Sequence, residues 1–148
     1  LIYDTDHRIV SIKDAKGQTF VTNHYDNEGR VHQQDLGTGS GTFDYSVANQ
    51  NTFTDKEGNV TRFLLNADGM VTSQEQFTKG LRAGEPASYV TTVIYNTNNL
   101  PLWMTYPEGN GVKYIYDSSN TDARARKNIL TVRRKENMSA CDYDPVDI

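Results

Sequence analysis

The stretch Asp14-Ala15-Lys16-Gly17-Gln18-Thr19-Phe20-Val21-Thr22-Asn23-His24-Tyr25-Asp26-Asn27-Glu28-Gly29 holds two copies of one signal with a run of β-formers between them. The signal is an Asp followed three positions later by Gly. The Asp side chain accepts hydrogen bonds from backbone N–H groups just downstream and starts a type I turn. The Gly then enters the left-handed region that a β-carbon resists, and its bulge lets the next strand leave antiparallel. Asp14–Gly17 and Asp26–Gly29 are therefore predicted hairpin tips. The same unit recurs as Asp55-Lys-Glu-Gly58 and, with Asn in the first place, as Asn66-Ala-Asp-Gly69.

The runs between the tips are rich in β-branched and aromatic residues. Thr19–Tyr25, Val31–Asp35, Val60–Leu65, Val71–Phe77, Ser88–Tyr95 and Val112–Tyr116 read as strands, several with apolar and polar residues alternating. No stretch of ten or more residues combines helical spacing with freedom from turn signals. The predicted fold is all-β. Leu36–Thr42 reads as a Gly-rich loop, Phe43–Val47 as an extra strand after it, and Lys79–Pro86 and Ser118–Asp122 as loop insertions. None of them marks a domain boundary, so residues 1–148 are expected to form a single structural unit.

The spacing is regular. Gly17 and Gly29 stand 12 residues apart, Gly58 and Gly69 stand 11 apart, and Tyr3-Asp4 and Tyr25-Asp26 stand 22 apart. Periods of about 20–50 residues mark stacked arrays, in which a unit relies on its neighbours to cover its apolar face. The chain begins and ends inside such units, so it is expected to be a processed or excised piece of a longer array.

Composition narrows the function. The 148 residues carry 15 Lys+Arg against 19 Asp+Glu, a formal charge of -4. A surface built throughout for nucleic acid needs the opposite balance. Nine Tyr, five Phe and one Trp are too many aromatics for a disordered tail. No run approaches the roughly 18 apolar residues of a membrane-spanning helix. The lone Cys141 excludes an internal disulfide and a Cys-rich metal site.

The repeated residues resemble the Rhs, or YD-repeat, family, whose unit runs Tyr-Asp-x-x-Gly-Arg-Leu and later Asp-x-x-Gly. Tyr25-Asp-Asn-Glu-Gly-Arg30-Val31 matches almost fully. Tyr3-Asp4-Thr-Asp-His-Arg-Ile9 has His7 at the glycine place, which makes a weaker tip. Leu65-Asn66-Ala-Asp-Gly69 has Leu for Tyr, and Tyr95-Asn-Thr-Asn-Asn99 has Asn for Gly. Asp14–Gly17, Asp55–Gly58 and Tyr106-Pro-Glu-Gly109 match the intervening turn, and Tyr116-Asp117 opens a further unit. Asn128–Arg133 and Tyr143–Val146 are similar to late-repeat segments of the family.

The resemblance implies stacked antiparallel hairpins of a spiralling β-shell. It implies a structural role, with no catalysis and no cofactor or metal: the shell encloses or presents a toxin or other polypeptide for secretion. Partners would be the remaining repeats of the same shell, an enclosed toxin domain and a secretion apparatus, with no nucleic acid and no membrane span. The setting would be secreted or cell-surface, in a bacterial delivery system of polymorphic-toxin type. The animal teneurins are similar adhesion proteins. The family's self-cleaving Asp-Pro-x-Gly-Leu segment is not carried over, because Asp144-Pro145 lacks the following Gly-Leu.

Two other readings start from individual side chains. An extracellular adhesion or carbohydrate-binding module would use the tyrosines and Trp103 as platforms for sugar faces. An enzyme would use His24, His32 and Asp35, which flank one predicted tip; polar strand-face histidines are the plain alternative. The Gly37–Gly41 run lacks the Lys-Ser/Thr sequel of a phosphate loop. Asp142, Asp144 and Asp147 lack the spacing of a calcium loop. Arg124, Arg126, Lys127, Arg133, Arg134 and Lys135 form a basic stretch suited to an acidic partner, a cargo or a membrane surface, with a solvated strand face as the plain alternative. Asn59-Val-Thr61 and Asn137-Met-Ser139 are N-glycosylation sequons.

Overall fold

A computed structural model describes residues 1–137. Twelve strands follow one another in sequence order through a single sheet. They are β1 (Ile2–Tyr3), β2 (Ile9–Lys13), β3 (Thr19–Tyr25), β4 (Val31–Leu36), β5 (Gly39–Asp44), β6 (Gln50–Thr54), β7 (Val60–Leu65), β8 (Val71–Phe77), β9 (Ser88–Tyr95), β10 (Pro101–Thr105), β11 (Gly111–Tyr116) and β12 (Ile129–Lys135). The registers from β1 to β6 and from β9 to β12 are antiparallel. The only helical element among the described residues is one 3-10 turn, Ala125–Lys127. The chain is all-β, as the alternating runs predict.

Seven of the connections are the same turn. Those starting at Asp4, Asp14, Asp26, Asp55, Asn66, Asn96 and Tyr106 each close with a bond from the N–H of the first residue to the carbonyl four on. A second bond runs from the N–H of the fourth residue back to the carbonyl of the first. The fourth residue has positive φ in all of them, including the two glycine substitutes His7 (φ 61) and Asn99 (φ 58). In the six that begin with Asp or Asn, Oδ1 accepts from the N–H groups two and four residues on. Tyr106 offers no such acceptor; there Pro107 pre-sets the backbone of the turn.

The chain divides into two compact units, one of Leu1–Arg62 with Gln76–Ala87, the other of Phe63–Glu75 with the chain from Ser88 onward. In the first, the only buried apolar side chain among the described residues is Val21. In the second they are Leu102, Trp103 and Val112. A two-layer domain buries most of one face of its sheet; so few buried side chains are the mark of a single layer.

The Gly-rich region departs from the expected loop. Gly39 and Gly41 lie within β5, and only Gly37-Thr38 forms the turn, with positive φ confined to Gly37 as in a type II′ hairpin. The reason lies across the strands. A β-carbon at Gly41 would stand 2.8 Å from the Phe53 ring, and one at Gly39 would stand 2.6 Å from Lys56. The expected strand over Phe43–Val47 stops at Asp44, whose Oδ1 accepts from the Ser46 N–H and turns the chain.

Candidate functional site

Tyrosines tie strand ends to the turns that precede them. Tyr25 Oη donates to the Ile9 carbonyl (2.7 Å) and Tyr45 Oη to the Val31 carbonyl (2.9 Å), both in the first unit. Tyr95 Oη donates to the Val71 carbonyl (2.8 Å) and Tyr116 Oη to the Pro101 carbonyl (2.9 Å), both in the second. Every acceptor is the first residue of a strand that leaves one of the regular turns. Each acceptor also lies two residues past the positive-φ position, so all four latches share one offset.

In the first unit the latch carries an arginine clasp. Arg8 Nε binds Asp4 Oδ2 (2.8 Å), its Nη2 binds Asp6 Oδ2 (3.0 Å), and its guanidinium lies 4.6 Å from the Tyr25 ring centre. Arg30 repeats this with Asp26 (2.8 Å), Glu28 (3.0 Å) and the Tyr45 ring (4.5 Å). A turn is thus clamped by its own arginine, which in turn covers the next tyrosine. The Arg8 backbone N–H, then its guanidinium, holds the Asp4 carboxyl below the usual carboxylate range, and Arg30 does the same to Asp26. Burial raises the Tyr45 and Tyr116 hydroxyls above their ordinary value. In the second unit the arginine place is held by Met70 and Leu100.

The structure gives each repeat position read from the sequence a place. Asp4, Asp14, Asp26, Asp55 and Asn66 are the turn acceptors, and Gly17, Gly29, Gly58, Gly69 and Gly109 the left-handed residues. Tyr25, Tyr95 and Tyr116 are latch donors and Arg30 a clasp. Tyr3 is 52% exposed on β1. Asp117 opens the longer connection to β12, where Oδ2 accepts from Asn120 Nδ2. Missing from the sequence reading are Tyr45 and the clasp role of Arg8. Tyr45 stands 20 residues after Tyr25, but the local order is Asp44-Tyr45, the reverse of the Tyr-Asp pair that marks the other units.

The histidine group forms on an open strand face. His24 Nε2 lies 2.7 Å from Asp35 Oδ2, and the His24 and His32 ring centres are 6.4 Å apart. Asp35 Oδ1 also accepts from Ser40 Oγ (2.7 Å) and Gln33 Nε2 (2.8 Å). Ser40 first, then His24 and Gln33, depresses the Asp35 carboxyl far below the usual range. The order is Ser–Asp–His, with the carboxylate in the middle. A hydrolytic triad needs the imidazole in the middle to take the serine proton, so this arrangement does not activate Ser40. No group of three or more His, Cys, Asp or Glu suited to a metal ion occurs among the described residues.

Trp103 is 3% exposed, with Lys113 Nζ 4.7 Å from its ring centre. It is a core residue, which overturns its expected use as a sugar platform. Asn59 Nδ2 is engaged by Asp55 Oδ2 at 2.7 Å. Of the basic stretch, Arg126 and Lys127 close the 3-10 turn, while Arg133, Arg134 and Lys135 are on β12. The acidic group Asp142, Asp144 and Asp147, the Tyr143–Val146 segment and Cys141 lie outside the described residues. No helix among the described residues is long and apolar enough to cross a membrane. No family model and no curated protein matches this chain.

Proposed function

We propose that this chain is a wall-forming segment of an Rhs/YD-repeat array, whose work is to enclose or present another polypeptide. The observation that carries the reading is the common offset of the four tyrosine latches, at Tyr25, Tyr45, Tyr95 and Tyr116. A device repeated along strands in sequence order extends a surface one unit at a time. A single layer with few buried side chains gains its cover from further repeats or from what it encloses. The partners in this reading are the flanking repeats, an enclosed toxin domain and the apparatus that secretes it. The setting is the bacterial cell surface or the medium beyond it.

The test uses the parent protein. Its sequence on either side should carry more Tyr-Asp units and a divergent C-terminal domain. That domain should resist protease in the intact parent and become cleavable when Tyr25, Tyr45, Tyr95 and Tyr116 are all changed to Ala. A parent without further units, or a domain equally cleavable in both proteins, removes the proposal.

A second reading, an adhesion or carbohydrate-binding module, draws on the exposed Tyr3, Tyr89 and Tyr106 rings, which are 52%, 41% and 36% exposed. Binding of the chain to a glycan array, abolished by changing these tyrosines to Ala, would favour it.

A further inference from the structure

The arginine clasps of the first unit are a template for one place in the second. Counted from its first residue, each clasped turn has an acidic residue in third place and the arginine in fifth. These are Asp6 and Arg8 in one turn, Glu28 and Arg30 in another. In the turn that starts at Asn66 the same places are held by Asp68 and Met70. In all three, a tyrosine is latched to the residue just after the fifth place: Tyr25 to Ile9, Tyr45 to Val31 and Tyr95 to Val71.

Two of these turns border open hollows with equivalent linings. At the Asp26 turn the hollow is ≈ 470 Å³, and Asp26, Glu28, His32 and Tyr45 line it together with Arg30. At the Asn66 turn Asn66, Asp68, Thr72 and Tyr95 hold the matching places. Met70 does not line this hollow, which is larger, ≈ 580 Å³. Asn99 also lines it. Its counterpart is Gly29, where a β-carbon would stand 3.6 Å from Arg8 Nη1, so a side chain at that place borders the guanidinium position.

Asp6 and Glu28 each bind an arginine at 3.0 Å. Asp68 is exposed and takes part in none of the ion pairs among the described residues. The Tyr25 and Tyr45 rings each lie under a guanidinium, whereas the half-buried Tyr95 ring has no cation over it among the described residues. The hollow thus keeps a carboxylate and a ring that elsewhere in this chain are spent on an arginine.

We propose that this hollow takes the guanidinium of an arginine from a partner polypeptide, stacked on the Tyr95 ring and paired with Asp68. The occupant is read from the chain itself, since an arginine fills equivalent surroundings at Arg8 and at Arg30. Asn66 stands where those clasps have Asp4 or Asp26, so the contact has one carboxylate instead of two and is weaker than an internal clasp. A guanidinium suits the place better than an ammonium, because its plane stacks on the ring while its edge meets the carboxylate. The site goes beyond the enclosing role and does not rest on it: its loss would leave the latches untouched.

The test is an NMR titration of the isotope-labelled chain with the neutral-ended peptide acetyl-Gly-Arg-Gly-amide. The backbone amides of Asn66, Asp68 and Asn99 should shift, and the matching lysine peptide should bind about threefold more weakly or worse. Asp68→Asn should weaken binding about three- to fivefold, the worth of an exposed ion pair. Met70→Arg should rebuild the internal clasp, fill the place and abolish binding. Glu108 is the control: it is the third residue of the Tyr106 turn and lies outside the hollow. Glu108→Gln should change binding by less than about twofold. Far-UV circular dichroism checks that each variant is folded; if Met70→Arg is not, the folded Asp68→Asn decides. No shift at any soluble concentration, equal binding of the two peptides, or undiminished binding by Asp68→Asn overturns the proposal. So does a folded Met70→Arg chain that binds like the native one. Shifts of the same amides by methyl glucoside at lower concentrations than the arginine peptide needs would overturn it in favour of a sugar.

Discussion

The Tyr25 hydroxyl reaches across from the end of β3 to the carbonyl of Ile9 at the start of β2, 2.7 Å away, while Arg8 lies over its ring. Ile9 O also accepts from Asn23 Nδ2 at 2.8 Å, so the carbonyl keeps one partner when the phenol is removed. Tyr25→Phe should therefore lower stability by about 0.5–1.5 kcal/mol. Tyr25→Ala, which also deletes the surface under Arg8, should cost about 2–3 kcal/mol. Urea titration followed by circular dichroism measures both. Equal stabilities for the Tyr25→Phe variant and the native chain would show that the latch contributes nothing.

The left-handed turn positions separate two costs. Gly17 (φ 82) has open space where a β-carbon would go, whereas at Gly29 (φ 78) that carbon would stand 3.6 Å from Arg8 Nη1. Gly17→Ala should cost about 1 kcal/mol, from the backbone alone. Gly29→Val should cost clearly more, because its branches would press on the clasp. His7→Gly should raise stability by a few tenths of a kcal/mol, about the difference between relief of strain and the added freedom of the unfolded chain. Thermal melts of the three variants rank them.

Acid should loosen the clasps. The Asp4 and Asp26 carboxyls are held below their ordinary value of 3.8, so their folded pKa lies under the unfolded one. The stability they add is present above the unfolded pKa and is lost as pH falls through the folded value. Melting temperature should drop below about pH 4, in step with that loss. Asp26→Asn isolates the charge, since the Asn66 and Asn96 turns keep the same two backbone bonds with an amide. This variant should show a shallower acid limb with the hairpin intact. An acid limb unchanged in the double variant with Asp4→Asn would sink the assignment.

Trp103 is the sole tryptophan and is 3% exposed, so it reports on the second unit. Its emission should be blue-shifted and poorly quenched by acrylamide in the native state, and insensitive to added sugars. Trp103→Ala should cost about 3–5 kcal/mol in urea titration. Strong quenching in the native chain would return the ring to the surface and revive the platform reading.

Local chemistry made the turns legible. An Asp or Asn with a Gly three residues later decides its own backbone, and that alone located the hairpin tips. His7 and Asn99 were recognisable as substitutes because the pattern around them was intact. What the sequence hid is set by contacts across strands. Gly39 and Gly41 looked like a loop because nothing local reveals that Lys56 and Phe53 take the space above them. β10 begins with Pro101 and reads Pro-Leu-Trp-Met-Thr, with no alternation, because Leu102 and Trp103 are both buried. Arg8 and Tyr25 are 17 residues apart, and only the folded strands bring them together. The histidine group was visible as a cluster, but the order in which Asp35 joins Ser40 to His24 was not.

Because the strands follow one another in sequence order, each has its partner in the piece of chain made just before it. A polypeptide leaving the ribosome, or a narrow channel, can lay down such a sheet as it emerges. No early segment waits for a distant late one, so loop-closure entropy never grows beyond a single hairpin. Vectorial growth of this kind keeps few unpaired edges exposed to neighbouring chains at any moment.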